Sequence, residues 1–132
     1  MFERGFLIFS AIIWLPYGLY CFFQPGSLAE AAGVVATTPT ATTELRAMYG
    51  GLQMAIGALA LVSLARPRLA SGTLLTLVFV SGGLASARLL GFLMDGGWSS
   101  YTAAGLGFET TSCGLALFAL SRGGWRPETS MP

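Results

Sequence analysis

The sequence predicts an all-α membrane protein in which four transmembrane helices form a bundle. Apolar residues make up 54% of the 132-residue chain, and the mean hydropathy is +0.68. Only 10% of the residues are charged, whereas a soluble domain carries about 25%. A soluble fold of this composition would expose large apolar patches. The apolar residues also fall into four runs, each close to the ~20 residues that a helix needs to cross the hydrocarbon core.

The four predicted spans cover residues 5–23, 45–65, 69–93 and 101–121. The first contains no charged residue, and each of the others contains one. We expect residues 1–132 to form a single integral membrane domain, because the spans leave no room for a soluble one. The first apolar run is long for a signal peptide, so we expect it to remain as an uncleaved anchor.

The loop after the first span is predicted to contain a short helix at the membrane surface. Ser27 is followed three residues later by Glu30, which matches the capping box that starts a helix. The predicted helix covers residues 28–32, and Gly33 is a suitable terminator. Residues 37–43 are rich in threonine and are predicted as loop, with Thr43 as the N-cap of the second span.

The arginines predict the orientation of the chain. If the chain starts inside and crosses four times, five arginines lie on the inner side: Arg4, Arg66, Arg68, Arg122 and Arg126. The outer side then has only Arg46 and Arg88, which lie at or inside span ends. Because basic residues accumulate on the cytoplasmic side, we expect both termini to be inside.

The composition excludes several functions. The chain has no histidine, which excludes histidine–metal sites and Ser-His-Asp catalysis. Cys21 and Cys113 are far apart in apolar runs, where cysteine behaves as a small apolar residue. We therefore expect no metal site and no cofactor. A net charge of +1 gives no basic field for nucleic acid, so we expect no nucleic-acid partner.

Two charged residues inside the spans are expected to form an ion pair. Arg88 lies about 8 Å from the outer end of the third span, and Glu109 about 12 Å from the outer end of the fourth. Charges at such depth are costly and normally face a partner inside the bundle. Asp95, seven residues after Arg88, could be a second partner nearer the surface.

Further polar residues lie in the same outer half of the spans. In the second span they follow the i, i+3, i+4, i+7, i+11 spacing of one helical stripe: Arg46, Tyr49, Gly50, Gln53 and Gly57. Tyr17 of the first span lies at a similar depth. The candidate ligand-binding residues are therefore Arg46, Tyr49, Gln53, Arg88, Glu109 and Tyr17.

Three interpretations of this polar group remain open. The residues could pair with one another and fasten the bundle, as polar residues in membranes do. They could instead line a pocket for an anionic or carbonyl head group, with an apolar tail running toward the inner leaflet. A proton or ion pathway is disfavoured, because the inner half of the spans lacks relay groups.

Residues 44–53 read Glu-Leu-Arg-Ala-Met-Tyr-Gly-Gly-Leu-Gln. This run resembles the E-x-R-A-x-Y-G-G-x-Q signature of a family of small bacterial four-helix membrane proteins, catalogued as a domain of unknown function. The similarity continues in residues 83–91, in Asp95-Gly96 and in Glu109, and covers about residues 10–120. The resemblance implies a four-helix bundle in the bacterial inner membrane and implies no activity. The architecture also resembles DoxX-type membrane proteins, some of which accompany quinone-linked redox enzymes, as an analogy of fold alone.

We expect a binding protein rather than an enzyme. It would hold a lipid-like or quinone-like amphipathic ligand in the membrane, or act as a small subunit of a larger complex or homo-oligomer. The alternative is a membrane enzyme that uses Glu109 as general acid or base, for isomerisation or proton transfer on a lipid-soluble substrate. That alternative needs a cavity beside Glu109. A small transporter is the third possibility, but it needs inverted repeats or broken helices, and the sequence shows neither.

Overall fold

The structure, a computed structural model, describes residues 2–123, and its regular structure there is helical. The α-helices are α1 (Phe2–Phe23), α2 (Ser27–Ala32), α3 (Pro39–Leu45), α4 (Leu52–Ala65), α5 (Ala70–Asp95) and α6 (Ser100–Gly123). A π-helical segment, Arg46–Gly51, joins α3 to α4 without a break. A short 3₁₀ turn, Pro67–Leu69, leads into α5.

Four helical stretches are long and apolar enough to cross a membrane. They are Phe2–Phe23, Pro39–Ala65, Pro67–Asp95 and Ser100–Arg122. The prediction of an all-α membrane protein with four transmembrane helices is confirmed. The orientation of the chain and the location of α2 at the membrane surface stay predictions.

The second span begins earlier than the sequence predicts. Residues 37–43 were expected to be loop, but α3 starts at Pro39. Thr38 is the N-cap, and its Oγ1 accepts a hydrogen bond from the Ala41 N–H at 3.1 Å. The prediction of Thr43 as N-cap is therefore wrong, and its hydroxyl donates to the Pro39 carbonyl inside the helix at 3.0 Å. Proline has no N–H and a preset φ, so it favours the first helical position that Pro39 holds.

The short helix α2 is present and ends at Gly33, which has a left-handed φ of 70°. The predicted capping box is wrong, because Gly26 rather than Ser27 holds the N-cap position. The Ser27 hydroxyl donates instead to the Gln24 carbonyl at 2.8 Å. The helix begins one residue early, directly on the turn that follows α1. Ser27 therefore lies inside the first turn, where it does not cap.

The long helices form two closely packed pairs. α1 packs along α4 and the π segment, and α5 packs along α6, whereas the contacts between the pairs are fewer. Glycines allow the first pair to approach closely. A Cβ added at Gly57 would lie 2.6 Å from the backbone N of Leu15, and one added at Gly18 would lie 2.6 Å from that of Met54. Only glycine fits at these two positions, so the two backbones touch directly.

The two pairs meet in an apolar core at one end of the bundle, where α1 and α5 begin and α4 and α6 end. Its buried residues include Leu7, Ala60, Leu74, Leu77 and Ala116. At the same end a hydrogen bond of 2.5 Å joins the hydroxyls of Ser63 on α4 and Thr73 on α5. The pairs are thus held together at this end and leave space between them at the other.

The glycine contact between α1 and α4 predicts a selective loss of stability. Gly57→Ala places a methyl group against the Leu15 backbone, which is expected to cost about 1–3 kcal/mol of unfolding free energy through overpacking. Gly83→Ala on α5 is the matched control, because a Cβ there meets nothing within 4 Å. The control should be neutral or slightly stabilising, since alanine favours helix over glycine. Unfolding of both variants in mixed micelles measures the difference, and equal losses would contradict the close packing.

Candidate ligand-binding site

A cavity of about 620 Å³ lies between the two helix pairs, at the end opposite the apolar core. All four long helices contribute to its walls. The lining includes Trp14 and Tyr17 of α1, Gln53 and Ile56 of α4, Val80, Leu84 and Arg88 of α5, and Tyr101, Gly105, Phe108 and Glu109 of α6. Binding sites for small molecules in proteins enclose ~300–1,000 Å³. The cavity is therefore large enough for an organic ligand.

The cavity has an apolar floor. Trp14 and Phe108 lie there with their ring centroids 5.6 Å apart, next to Ile56 and Val80. Trp14 is 4% exposed and belongs to the apolar core as well as to the cavity. The floor therefore lies directly on the part of the bundle in which the two helix pairs meet.

The polar lining residues lie on the opposite side, toward the end of the bundle at which α1 and α5 end and α6 begins. We call them the polar rim: Tyr17, Tyr49, Gln53, Arg88, Tyr101 and Glu109. Five of them come from the six residues that the sequence singles out as candidates. The structure brings these five together around one cavity, and the sixth candidate, Arg46, lies elsewhere.

Arg88 and Glu109 form a bidentate ion pair across α5 and α6. The Arg88 Nε–H donates to Glu109 Oε2 at 3.0 Å, and Nη2–H donates to Oε1 at 2.7 Å. Glu109 is only 4% exposed, so its charge has to be neutralised in place. The predicted pair is confirmed, with the fork geometry that makes arginine–carboxylate pairs strong.

Gly105 makes room for this pair. It lies one helical turn before Glu109, and a Cβ added there would be 2.8 Å from the Arg88 Cζ. The missing side chain lets the guanidinium lie against α6 and present its edge to the carboxylate. Gly105 was expected only as one of the small residues that let the helices pack closely, and it was not among the candidate site residues. A glycine four residues before a carboxylate inside a span was the signal that could have indicated it.

Tyr101 is a rim residue that the candidate set also missed. Its hydroxyl lies 3.1 Å from that of Tyr17, and the Arg88 Cζ lies 5.7 Å from its ring centroid. A second cavity of about 350 Å³ begins on the far side of this tyrosine pair, under α2, and both tyrosines line it too. The hydrogen-bonded tyrosines therefore stand between the two cavities.

The π segment divides the stripe that the sequence predicts along the second span. Gly50 and Gly57 face α1, where added Cβ atoms would meet Phe22 and Leu15. Tyr49 and Gln53 line the cavity instead. The i→i+5 hydrogen bonds of the π segment change the number of residues per turn, and the predicted stripe divides into one line of residues that faces α1 and another that faces the cavity.

Arg46 lies outside the cavity. Its side chain is exposed, and its Nε–H donates to the Phe22 carbonyl at 3.1 Å, in the last turn of α1. Carbonyls in the last turn of a helix lack helical partners, and a cation there suits the helix dipole. Arg46 thus caps α1. The expectation that it shares one face with Tyr49 and Gln53 is wrong, because Arg46 contacts α1 whereas those two residues line the cavity.

Asp95 does not join the ion pair. Among residues 2–123 the only ion pair is that of Arg88 with Glu109, and Asp95 is the last residue of α5. Two helical turns separate it from Arg88, about 10 Å along the axis. Within the same described residues, no group of three acidic or cysteine side chains is placed to hold a metal ion.

The chain from residue 2 to residue 120 matches a known family, described as Domain of unknown function (DUF4345). The chain belongs to this family. The match includes every residue of the polar rim, and the expected resemblance to a family of unknown function is confirmed. The residue motif within the DUF4345 family and the DoxX analogy stay predictions. No curated protein and no solved structure matches the chain.

The ion pair predicts non-additive effects of substitution. Arg88→Met leaves the Glu109 carboxylate buried without a cation, which is expected to cost about 3–5 kcal/mol. The double variant Arg88→Met/Glu109→Leu removes both charges and should be more stable than Arg88→Met alone. Unfolding in mixed micelles, or the yield of monodisperse protein, shows which of the two variants is more stable. Equal losses from both would show that the pair does not stabilise the bundle.

Proposed function

We propose that this protein is an integral membrane protein of the bacterial inner membrane that binds a lipid-like or quinone-like amphipathic ligand in the cavity between its two helix pairs. The observation that carries the proposal is the polarity of the cavity. Polar groups lie at one end and an apolar floor at the other, as an amphipathic molecule requires. The head of the ligand lies at the polar rim, and its tail runs toward Trp14 and Phe108.

Access to the cavity from the bilayer supports a membrane-borne ligand. Four large apolar lining residues are also exposed: Ile13, Met48, Leu52 and Leu84. They belong to α1, the π segment, α4 and α5, and the contacts between the two helix pairs are sparse. An apolar tail can therefore enter sideways between the helix pairs without crossing water.

The enzyme alternative rests on Glu109, which lines the cavity as that alternative requires. However, each oxygen of the carboxylate accepts a hydrogen bond from Arg88. A general base has to take a proton from its substrate. At Glu109 that proton would have to compete with the two Arg88 hydrogen bonds for the carboxylate oxygens. The geometry therefore favours a role in binding for Glu109 over a role in proton transfer.

The proposed orientation places the polar rim toward the outer side of the inner membrane, with both termini inside. In this arrangement the connection between α5 and α6 is outside, and the turn between α4 and α5 is inside. We expect Ser99→Cys to react with a membrane-impermeant maleimide in spheroplasts, and Pro67→Cys to react only after lysis. Both are made in a background without Cys21 and Cys113, and the reverse pattern would invert the orientation.

Quenching of Trp14 fluorescence tests ligand binding. Replacing Trp98 and Trp125 by Phe leaves Trp14, at the cavity floor, as the only tryptophan. A fatty acid methyl ester brominated along its chain should then quench Trp14 in detergent with saturation. Because Trp14 is 4% exposed and lines the cavity, bromine bound in the cavity should quench it more strongly than bromine in the surrounding detergent.

Two substitutions on α6 separate binding in the cavity from contact with the outer surface. Ala104→Phe fills the cavity that Ala104 lines and should abolish saturable quenching. Thr111→Phe adds the same ring at an exposed position that does not line the cavity, and should leave quenching unchanged. Equal quenching in both variants would refute binding in the cavity.

A further inference from the structure

We infer that the cavity selects a neutral ligand that carries a carbonyl oxygen, such as an ester or a quinone, and rejects anionic and cationic amphipaths. This inference rests on the proposed function and concerns the chemical class of the ligand. Three observations support it: the charge of the cavity, the hydrogen-bond donors left at its rim, and the position of Arg46.

The lining of the cavity carries no net charge. Arg88 and Glu109 are the charged residues among its lining residues, and they neutralise each other in a bidentate pair. The remaining lining is apolar or uncharged. An anion would need a second cation and a cation a second anion, since a charge that leaves water for a protein cavity without a partner is strongly disfavoured.

Arg46 is the residue that the sequence offers as a second cation for the ligand-binding site. Its guanidinium caps the end of α1 and does not line the cavity. An anionic head group bound beside Arg88 would therefore have to compete with Glu109 for a single positive charge. Of the two head groups that the sequence leaves open, anionic and carbonyl, this arrangement favours the carbonyl.

The rim keeps hydrogen-bond donors that can bind a ligand. A guanidinium has five N–H groups, of which two bind Glu109, so Arg88 keeps three. In the tyrosine pair one hydroxyl donates to the other, and the accepting hydroxyl keeps its own proton. Each oxygen of Glu109 already accepts one hydrogen bond from Arg88. A carbonyl oxygen, which accepts two hydrogen bonds and brings no charge, fits this set.

The test compares ligands that share one brominated chain and differ in the head group. Trp14 quenching, in the background without Trp98 and Trp125, is measured with a methyl ester, an alkyl sulfonate, an alkyl trimethylammonium salt and the plain alkane. A decyl benzoquinone, which also quenches tryptophan, is the second carbonyl probe. We expect the ester or the quinone to bind at least ~10-fold more tightly than either charged probe and more tightly than the alkane.

Glu109→Gln then tests the cause of the selectivity. The substitution keeps the shape of the side chain but leaves the Arg88 charge unneutralised. Sulfonate binding should improve relative to ester binding by about 10-fold or more. The double variant Arg88→Gln/Glu109→Gln, which has neither charge, should not show that gain.

The outcomes separate the inference from the function on which it rests. If no probe quenches Trp14 with saturation, the proposed binding function is wrong. If the wild-type protein binds the sulfonate or the ammonium probe as tightly as the carbonyl probes, binding stands and the neutral-carbonyl inference is overturned. The wild-type comparison decides this even if Glu109→Gln fails to fold. Tighter binding of the ester indicates an acyl-lipid-like ligand, and tighter binding of the quinone indicates a quinone-like ligand.

Discussion

The ion pair between Arg88 and Glu109 is the interaction on which the site depends. A carboxylate that is 4% exposed among apolar helices is tolerated only with a cation in direct contact. Because the two residues lie on neighbouring helices, a bidentate contact sets the axial register and the rotation of α5 against α6. Gly105 is needed for the same contact, since it leaves the guanidinium room against α6. The register also brings the ring of Tyr101 near the guanidinium, so one ion pair positions much of the polar rim.

The cavity follows from how unevenly the four helices pack. Glycine contacts bind α1 closely to α4, and α5 lies closely along α6. The pairs share an apolar core at one end only, where small and aliphatic side chains interdigitate. At the other end the cavity lies between the pairs, and a hydrogen bond joins Tyr17 of α1 to Tyr101 of α6. The polar and apolar ends of the cavity therefore reflect the two different ways in which the pairs meet.

The sequence predicted the ion pair because two isolated charges at similar depth have few other ways to lower their cost. It missed Tyr101, since a tyrosine near a span end equally suits an anchor at the membrane surface. It placed Arg46 with Tyr49 because a uniform α-helix has one periodicity along its whole length. The π segment breaks that periodicity where Gly50 packs against Phe22, and no local pattern signals this. Thr43 was preferred over Thr38 as N-cap because the apolar run begins after it, although Pro39 determines the start.

The sequence by itself determined that the chain has four apolar helices and that Arg88 and Glu109 pair. These follow from residue identity alone, through the transfer of apolar side chains into lipid and the cost of an unpaired charge there. The tertiary structure alone decided that the helices associate as two pairs, that a cavity lies between them, and that Arg46 stays outside it. These depend on contacts between residues far apart in sequence, where the absence of a side chain at Gly18, Gly57 and Gly105 determines which helix faces can meet.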